Sequence, residues 1–304
     1  MRKLFTFLPI AMLLLLASCS EKKTAPNPPE NSTEAPDSLR FCAAIDALKS
    51  NQRAVGSPTR YWPNGRVLKV GFAPNSSIAQ IEFVKSALAE WDEITNLSFT
   101  YPASGPFDLR WAFNTSQGAY SYIGTDCASI PQSQPTGNVG WGWNSKDGTG
   151  KYTDGVARHE VGHALGAMHE QCNGNSGICW IAQNVYADLG KPPNNWDKAT
   201  VDHNVLFVCD PAKYPSTPWD KVSVMQYAVP ARWTCSNASI PGGQYLSSTD
   251  NDFWAKVYPA PNPPPSGETV LITAAQRDSL LKWALSAKNE SARTYAKTKA
   301  IFNK

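Results

Sequence analysis

Apolar residues fill positions 4–17, directly after Arg2 and Lys3. A charged start and an apolar run of that length predict a signal peptide, too short to favour a membrane-spanning helix. Residues 20–38 carry almost nothing apolar and are rich in Pro, Asn, Ser, Thr and Glu, the composition of a disordered tether. A short apolar pattern returns in residues 39–53 at Leu39, Phe41, Ile45 and Leu48. It reads as a propeptide, or alternatively as a helix opening the main domain. Residues 66–72 alternate as a strand does. Over residues 77–95, Ile78, Ile81, Leu88, Trp91 and Ile94 recur at helical spacing behind a Ser77/Gln80 capping box, which predicts a helix with those positions in the core. Strands follow at 97–101, 108–113 and 119–123, separated by turn residues. Residues 131–150 read as loop, and 153–165 as a helix. Beyond Gly166 regular patterning is sparse. Residues 259–265 form a Pro-dense linker. Thr273 and Gln276 then open a helix to about residue 287, with Leu280, Leu281, Trp283 and Leu285 as its apolar side. This tail packs back on the domain or meets a partner.

Composition changes this picture little. The hydrophobic share of 42% supports a sizeable core, and a formal charge of +3 without a basic run gives no reason to expect nucleic acid. The leader matters more. Its apolar run ends Leu16-Ala17-Ser18-Cys19 and is followed by polar residues, which resembles a bacterial lipobox with Cys19 as the lipidated first mature residue. An ordinary secretory cleavage is the alternative, and both export the chain. The lipobox reading places it on the outer membrane or cell surface of a Gram-negative bacterium, held by a lipid anchor. Six further cysteines in an exported chain suggest disulfides. Cys172 and Cys179 enclose a short Asn/Gly/Ser loop and form a natural local pair. Cys209 and Cys235 would bracket the segment between them, leaving Cys42 and Cys127, although spacing alone does not fix the connectivity.

The candidate chemistry sits in residues 159–170. Three of the chain's four histidines, His159, His163 and His169, fall in this stretch. His159 and His163 lie on one face of a helix, Gly166 lets the chain turn, and His169 completes a three-imidazole zinc site with an open position. Surface or core histidines would not explain such clustering in a histidine-poor chain. One Zn2+ held this way would bring the pKa of a bound water toward ~7. Glu160 projects differently from His159 and reaches that water as general base, then carries the proton to the leaving amine. Gly166 is needed because a continued helix would carry residue 169 away, and a left-handed backbone costs glycine little. Downstream, Met225 and Tyr227 lie in a loop-rich region. Met225 alone reads as a core residue.

Together these residues resemble the metzincin peptidases and, within them, the astacin family. Glu170 and Gln171 after the third histidine fit the family's His-Glu-Gln, whereas serralysins usually have proline there. Met225 resembles the methionine turn beneath the zinc, and Tyr227 the tyrosine that serves as a movable fifth ligand and a catalytic group. Trp62-Pro63-Asn64-Gly65-x-Val67 is similar to the family's opening strand. Tyr120, Ser121 and Tyr122, with Ile123 and Gly124, are similar to its sheet-edge strand, and Leu246-Ser247-x-x-Asp250 with Tyr258 to its closing segment. The resemblance covers roughly residues 54–260. It implies an α+β fold of two lobes, a twisted mixed sheet with two long helices above the cleft and a loop-rich lobe below. It further implies a zinc endopeptidase that binds extended protein or peptide substrates antiparallel to the edge strand. There are departures. Tyr258 is followed by Pro-Ala-Pro rather than cysteine, Ala119 stands where the edge strand usually has cysteine, and Gln226 where histidine is commoner. The family's two standard disulfides are therefore not preserved.

The domain reading is residues 1–18 signal peptide, 19–53 tether and propeptide, 54–260 catalytic domain, and 261–304 linker and helical tail. The resemblance implies cleavage between Arg53 and Ala54 by an activating protease, freeing an N-terminus that pairs with Glu170. The family's Phe-x-Gly-Asp latch is absent. Cys42 is then either a thiolate latch on the zinc or one half of a Cys42–Cys127 disulfide, with Asp46 a weaker latch candidate. Arg232 either favours acidic substrate residues after the cut or is simply solvated. Two rival readings remain: a surface adhesion or binding lipoprotein on a protease scaffold, and a processing enzyme dedicated to one partner.

Overall fold

Ser77 opens the longest helix. Its hydroxyl accepts from the Gln80 N–H (3.3 Å), and Gln80 Oε1 accepts from the Ser77 N–H (2.8 Å). Both free donors at this helix start are thus satisfied reciprocally. The computed structural model describes residues 41–45, 56–212 and 214–260. The signal peptide, Cys19, the tether, Asp46, the Arg53–Ala54 junction and the linker with its helical tail lie outside the described residues.

The helix α1 (Ile78–Ile94) buries Phe83, Val84, Ala87, Leu88 and Trp91. This stripe corrects the expected one. Leu88 and Trp91 are core, but Ile78 is 76% exposed and Ile81 and Ile94 are half-buried. Ile78 lies six residues before Val84, roughly 240° around the helix, and so faces away from the sheet. Full burial of side chains such as Phe83 and Leu88 contributes roughly 1.5–3 kcal/mol each.

Six strands form one mixed sheet: β1 (Cys42–Ile45), β2 (Val67–Phe72), β3 (Ser98–Thr100), β4 (Leu109–Ala112), β5 (Ala119–Tyr122) and β6 (Gly137–Asn138). Their order is β1-β5-β6-β4-β2-β3. β2, β3, β4 and β6 run parallel, and β5 runs antiparallel to β6. The two-residue β6 lies within the expected loop and is too short to leave a sequence pattern. β1 pairs parallel with β5, with Cys42 opposite Ala119 and Ile45 opposite Tyr122. The segment at 42–45 is therefore a strand, not the alternative N-terminal helix.

The motif helix α2 (Val156–Ala164) is buried along its whole length. Its backbone carbonyls are taken up by large side chains from elsewhere. Trp91 Nε1 donates to the Arg158 carbonyl (3.0 Å) and Trp62 Nε1 to that of Ala164 (2.8 Å). The Tyr258 hydroxyl donates to the Leu165 carbonyl (2.6 Å). These bonds explain why the opening and closing segments of the domain meet at α2. Arg158, buried within the helix, pairs with Glu90 of α1 at 2.6 and 2.9 Å.

Past α2 the chain is mostly loop, but it holds more helix than the sequence pattern indicated: α3 (Ala182–Leu189), α4 (Lys198–Val201) and α5 (Ser248–Val257). α5 starts at a second capping box, Ser247 with Asp250. Two disulfides tie this half together, Cys172–Cys209 and Cys179–Cys235. The four cysteines are bridged as expected, but the pairing is not the local one. Distant segments are already joined by backbone bonds, Cys209 N–H to the Cys172 carbonyl (2.6 Å) and Cys235 N–H to the Cys179 carbonyl (2.8 Å). Each cysteine is thus presented to its remote partner.

Candidate active site

α2 ends where its sequence demands. Gly166 has φ +106°, and the Ala167 N–H returns to the Gly162 carbonyl (2.9 Å). This left-handed cap suits glycine alone, and a Cβ there would lie 2.8 Å from Tyr61 Cδ1. The turn reverses the chain so that His169 comes back to His159 and His163. The three Nε2 atoms converge, with His163 Nε2 3.1 Å from those of His159 and His169.

Each ring is oriented by its other side. His159 Nδ1 lies 2.8 Å from the Val224 carbonyl, and His163 Nδ1 2.8 Å from that of Ala167. His169 meets the Asn204 backbone. Donation by Nδ1–H to a carbonyl leaves the Nε2 lone pair free, so the bare lone pairs of neutral rings face one another across about one atom's width. Burial keeps the rings neutral, pushing His159 down to about 4 and His163 and His169 well down. A tetrahedral zinc with Zn–N of about 2.0–2.1 Å needs ligand separations of roughly 3.3 Å. The donor set fits that ion.

Around this centre the structure brings together most of the residues singled out by sequence. The Tyr227 hydroxyl lies 2.8 Å from His169 Nε2. Met225 lies beneath α2, where a Cβ on Gly162 would approach its sulfur to 2.5 Å and Trp91 to 3.0 Å. Glu160 is fully buried, and the hydrogen-bonding group beside its carboxyl is the Cys42 thiol. Burial pushes its carboxyl well up. Cys42 joins the same cluster. Its Sγ, a His159 nitrogen and a Glu160 oxygen lie within 4.8 Å of one another, and the Cys42 carbonyl accepts a hydrogen bond from the Tyr227 hydroxyl. Cys127 is not its partner. Both thiols are free and buried, and Cys127 donates to the Tyr122 carbonyl (3.5 Å). Tyr120, Ser121 and Tyr122 lie on β5, whose outer edge is paired with Ala43–Ile45 of β1.

Glu170 lies behind the zinc ligands rather than among them. Its Oε1 accepts from the Asp220 N–H (3.0 Å) and from Asn173 Nδ2 (2.8 Å), and burial raises its carboxyl to about 7. It lines a recess with Asp220, Asp250, Met225, Phe253 and Trp254. Arg232 is half-exposed and pairs with Asp188 at 2.6 and 2.9 Å.

Three residues have supporting roles that the sequence did not indicate, although Asp250 and Gln171 stand in its motifs. Asp250 accepts from Ser223 Oγ (2.7 Å) and the Val224 N–H (3.0 Å), and so fixes the carbonyl that orients His159. Its capping-box position was the available signal. Gln171 ties the lower loops together, donating to the Asn204 carbonyl (3.0 Å) and accepting from the Tyr227 N–H (3.3 Å). Gly162 is required by close packing, which leaves no local sequence mark.

This fold and site define a zinc peptidase of the metzincin kind. The profile of the family described as Astacin (Peptidase family M12A) matches residues 54–239, and the chain belongs to that family. A solved structure of myroilysin is 32% identical, with a TM-score of 0.62, covering 68% of this chain and 99% of that one. Zinc metalloproteinase nas-28 of Caenorhabditis elegans is 26% identical over 183 residues, 59% of this chain and 32% of its own length. Serralysin B of Dickeya chrysanthemi is 25% identical over 206 residues, 63% of this chain and 41% of its own length. The chain therefore spans less than half of either of these two relatives. The family is zinc-dependent, in accord with the three-histidine donor set.

Proposed function

We propose that this chain is the latent precursor of an exported zinc endopeptidase. The observation that carries the reading is the pairing of a converged three-imidazole site with a buried Glu160 carboxyl beside it. A buried carboxyl that meets only a thiol calls for a functional explanation. Zinc, when bound, acidifies a water and polarises the scissile carbonyl. Glu160 takes a proton from the attacking water as its oxygen joins the carbonyl carbon. It then delivers that proton to the amide nitrogen as the C–N bond breaks. The Tyr227 hydroxyl, which here donates to the Cys42 carbonyl, donates to the oxygen of the scissile carbonyl as charge grows on it. The binding-lipoprotein alternative offers no reason for a buried Glu160 beside three converged imidazoles.

Latency comes from β1. A substrate runs antiparallel to β5, whereas Ala43–Ile45 occupy that edge running parallel. The propeptide thus covers the subsites with its peptide bonds reversed and escapes the chemistry it blocks. Cys42, whose Sγ lies within 4.8 Å of a His159 nitrogen and which is free of any disulfide, is the latch. Activation is a cut after Arg53. A Cβ on Gly56 would lie 3.3 Å from Phe253 Cζ, a wall of the Glu170 recess. Two more residues reach at most about 7 Å, so an Ala54 ammonium enters that acidic recess. The two disulfides suit an oxidising compartment, and the lipidated Cys19 holds the precursor at the membrane surface until the cut. The test is peptide cleavage by the Arg53-cut chain, expected to stop on chelation and in Glu160→Ala. Cleavage that survives both treatments overturns the reading.

A further inference from the structure

Phe41, immediately before the latch, fills an aromatic recess. Its ring stacks on Trp233 (centroids 5.3 Å, 28°) and meets Tyr227 edge-on (4.9 Å) and Trp196 edge-on (6.4 Å). It is 6% exposed, and its N–H donates to Asn194 Oδ1 (3.2 Å). All four partners belong to the catalytic domain. The recess is therefore a feature of the domain on which the propeptide draws.

Strand direction says which substrate residue would use it. Cys42 lies beside His159 and Glu160 at the Ala119 end of β5, and Phe41 lies one residue beyond that end. A substrate runs the other way, entering along β5 from Tyr122 toward Ala119. Its scissile carbonyl stops at the level of Cys42, where Tyr227 donates. The residue just after the cut then falls where Phe41 lies.

The charge of the recess is also settled. Arg232 is adjacent to Trp233 in sequence and is the positive group that would draw an acidic side chain. Its Nε and Nη2 both donate to Asp188 Oδ2, at 2.9 and 2.6 Å, and Trp233 Nε1 donates to the same oxygen at 2.5 Å. Asp188 neutralises Arg232 and pins the indole on which Phe41 stacks. The geometry points to a pocket that selects a large apolar, preferably aromatic, residue directly after the cut, with Trp196 and Trp233 as the specificity-determining side chains. This inference rests on the peptidase reading and gives its substrate class: extended polypeptides with Phe, Tyr or Leu at that position.

Two measurements test it. In the first, the zinc-loaded, Arg53-cut chain digests a peptide library randomised around the cleaved bond. Phe, Tyr and Leu are expected to exceed Asp and Glu directly after the cut by roughly 10-fold or more, and Trp196→Ala should erase most of the preference for Phe over Ala. Preference for an acidic residue there overturns the inference. The second measurement needs no catalysis. The rate of Cys42 alkylation by iodoacetamide is compared in zinc-loaded precursors carrying Phe41→Leu or Phe41→Asp. Phe41→Leu should protect nearly as well as the native chain, and Phe41→Asp should speed alkylation roughly 10-fold or more. Equal or better protection by Phe41→Asp overturns the inference. Failure of the cut chain to cleave any peptide would sink the peptidase reading, and the alkylation ranking would still decide what the recess accepts.

Discussion

Glu170 should change the sign of its contribution to stability when the precursor is cut. In the precursor its carboxyl is 4% exposed and shares a recess with Asp220 and Asp250. Burial lifts its pKa from 4.5 to about 7, against the two hydrogen bonds it accepts. A carboxyl whose folded pKa is raised holds its proton more tightly in the native state than in the unfolded chain. Between pH 4.5 and 7 the native state then carries more protons, so stability falls as pH rises through that window. At about 1.4 kcal/mol per pH unit the full effect is about 3 kcal/mol, an upper bound for a group not wholly enclosed. Glu170→Gln has no proton to lose and keeps an acceptor for the Asp220 N–H. In the uncut precursor it should match the native chain near pH 4.5 and be more stable by up to about 3 kcal/mol at pH 8. If cleavage at Arg53 brings an ammonium to the carboxylate, as proposed, the same substitution should destabilise at pH 8. Urea unfolding of both zinc-loaded forms between pH 5 and 8 measures this. A precursor difference independent of pH, or stabilisation of the cut chain as well, refutes the reasoning.

Other outcomes follow from single contacts. Tyr227→Phe in the cut chain should lower kcat roughly 10²-fold with little change in KM, because the lost bond strengthens only as charge develops; steady-state kinetics on one peptide decides, and an unchanged kcat removes Tyr227 from the chemistry. Gly166→Ala must adopt φ +106° against Tyr61, so it should lose at least about 1 kcal/mol and displace His169. A thermal melt with zinc titration checks this, and unchanged stability and affinity would contradict it.

The zinc motif was legible because its spacing encodes local geometry: one helical turn, a left-handed glycine, and a third imidazole returned to the first two. α1 was legible from its capping box. What the sequence hid was non-local. Cys172 and Cys179 looked paired because they are near in sequence, yet backbone bonds from Cys209 and Cys235 draw them apart. Asp250 acts through the Val224 N–H, 26 residues away. Phe41 and Cys42 belong to a segment that reads as a propeptide or as a helix opening the domain. Only pairing with the outer edge of β5 makes it a strand, and only the fold brings Asp188 to Arg232.

If Cys42 closes the zinc site and a cut after Arg53 opens it, X-ray absorption at the zinc edge should show one sulfur at about 2.3 Å from zinc in the full-length precursor and a nitrogen- and oxygen-only shell after that cut. A precursor shell without sulfur, or a sulfur that persists in the cut chain, would contradict it.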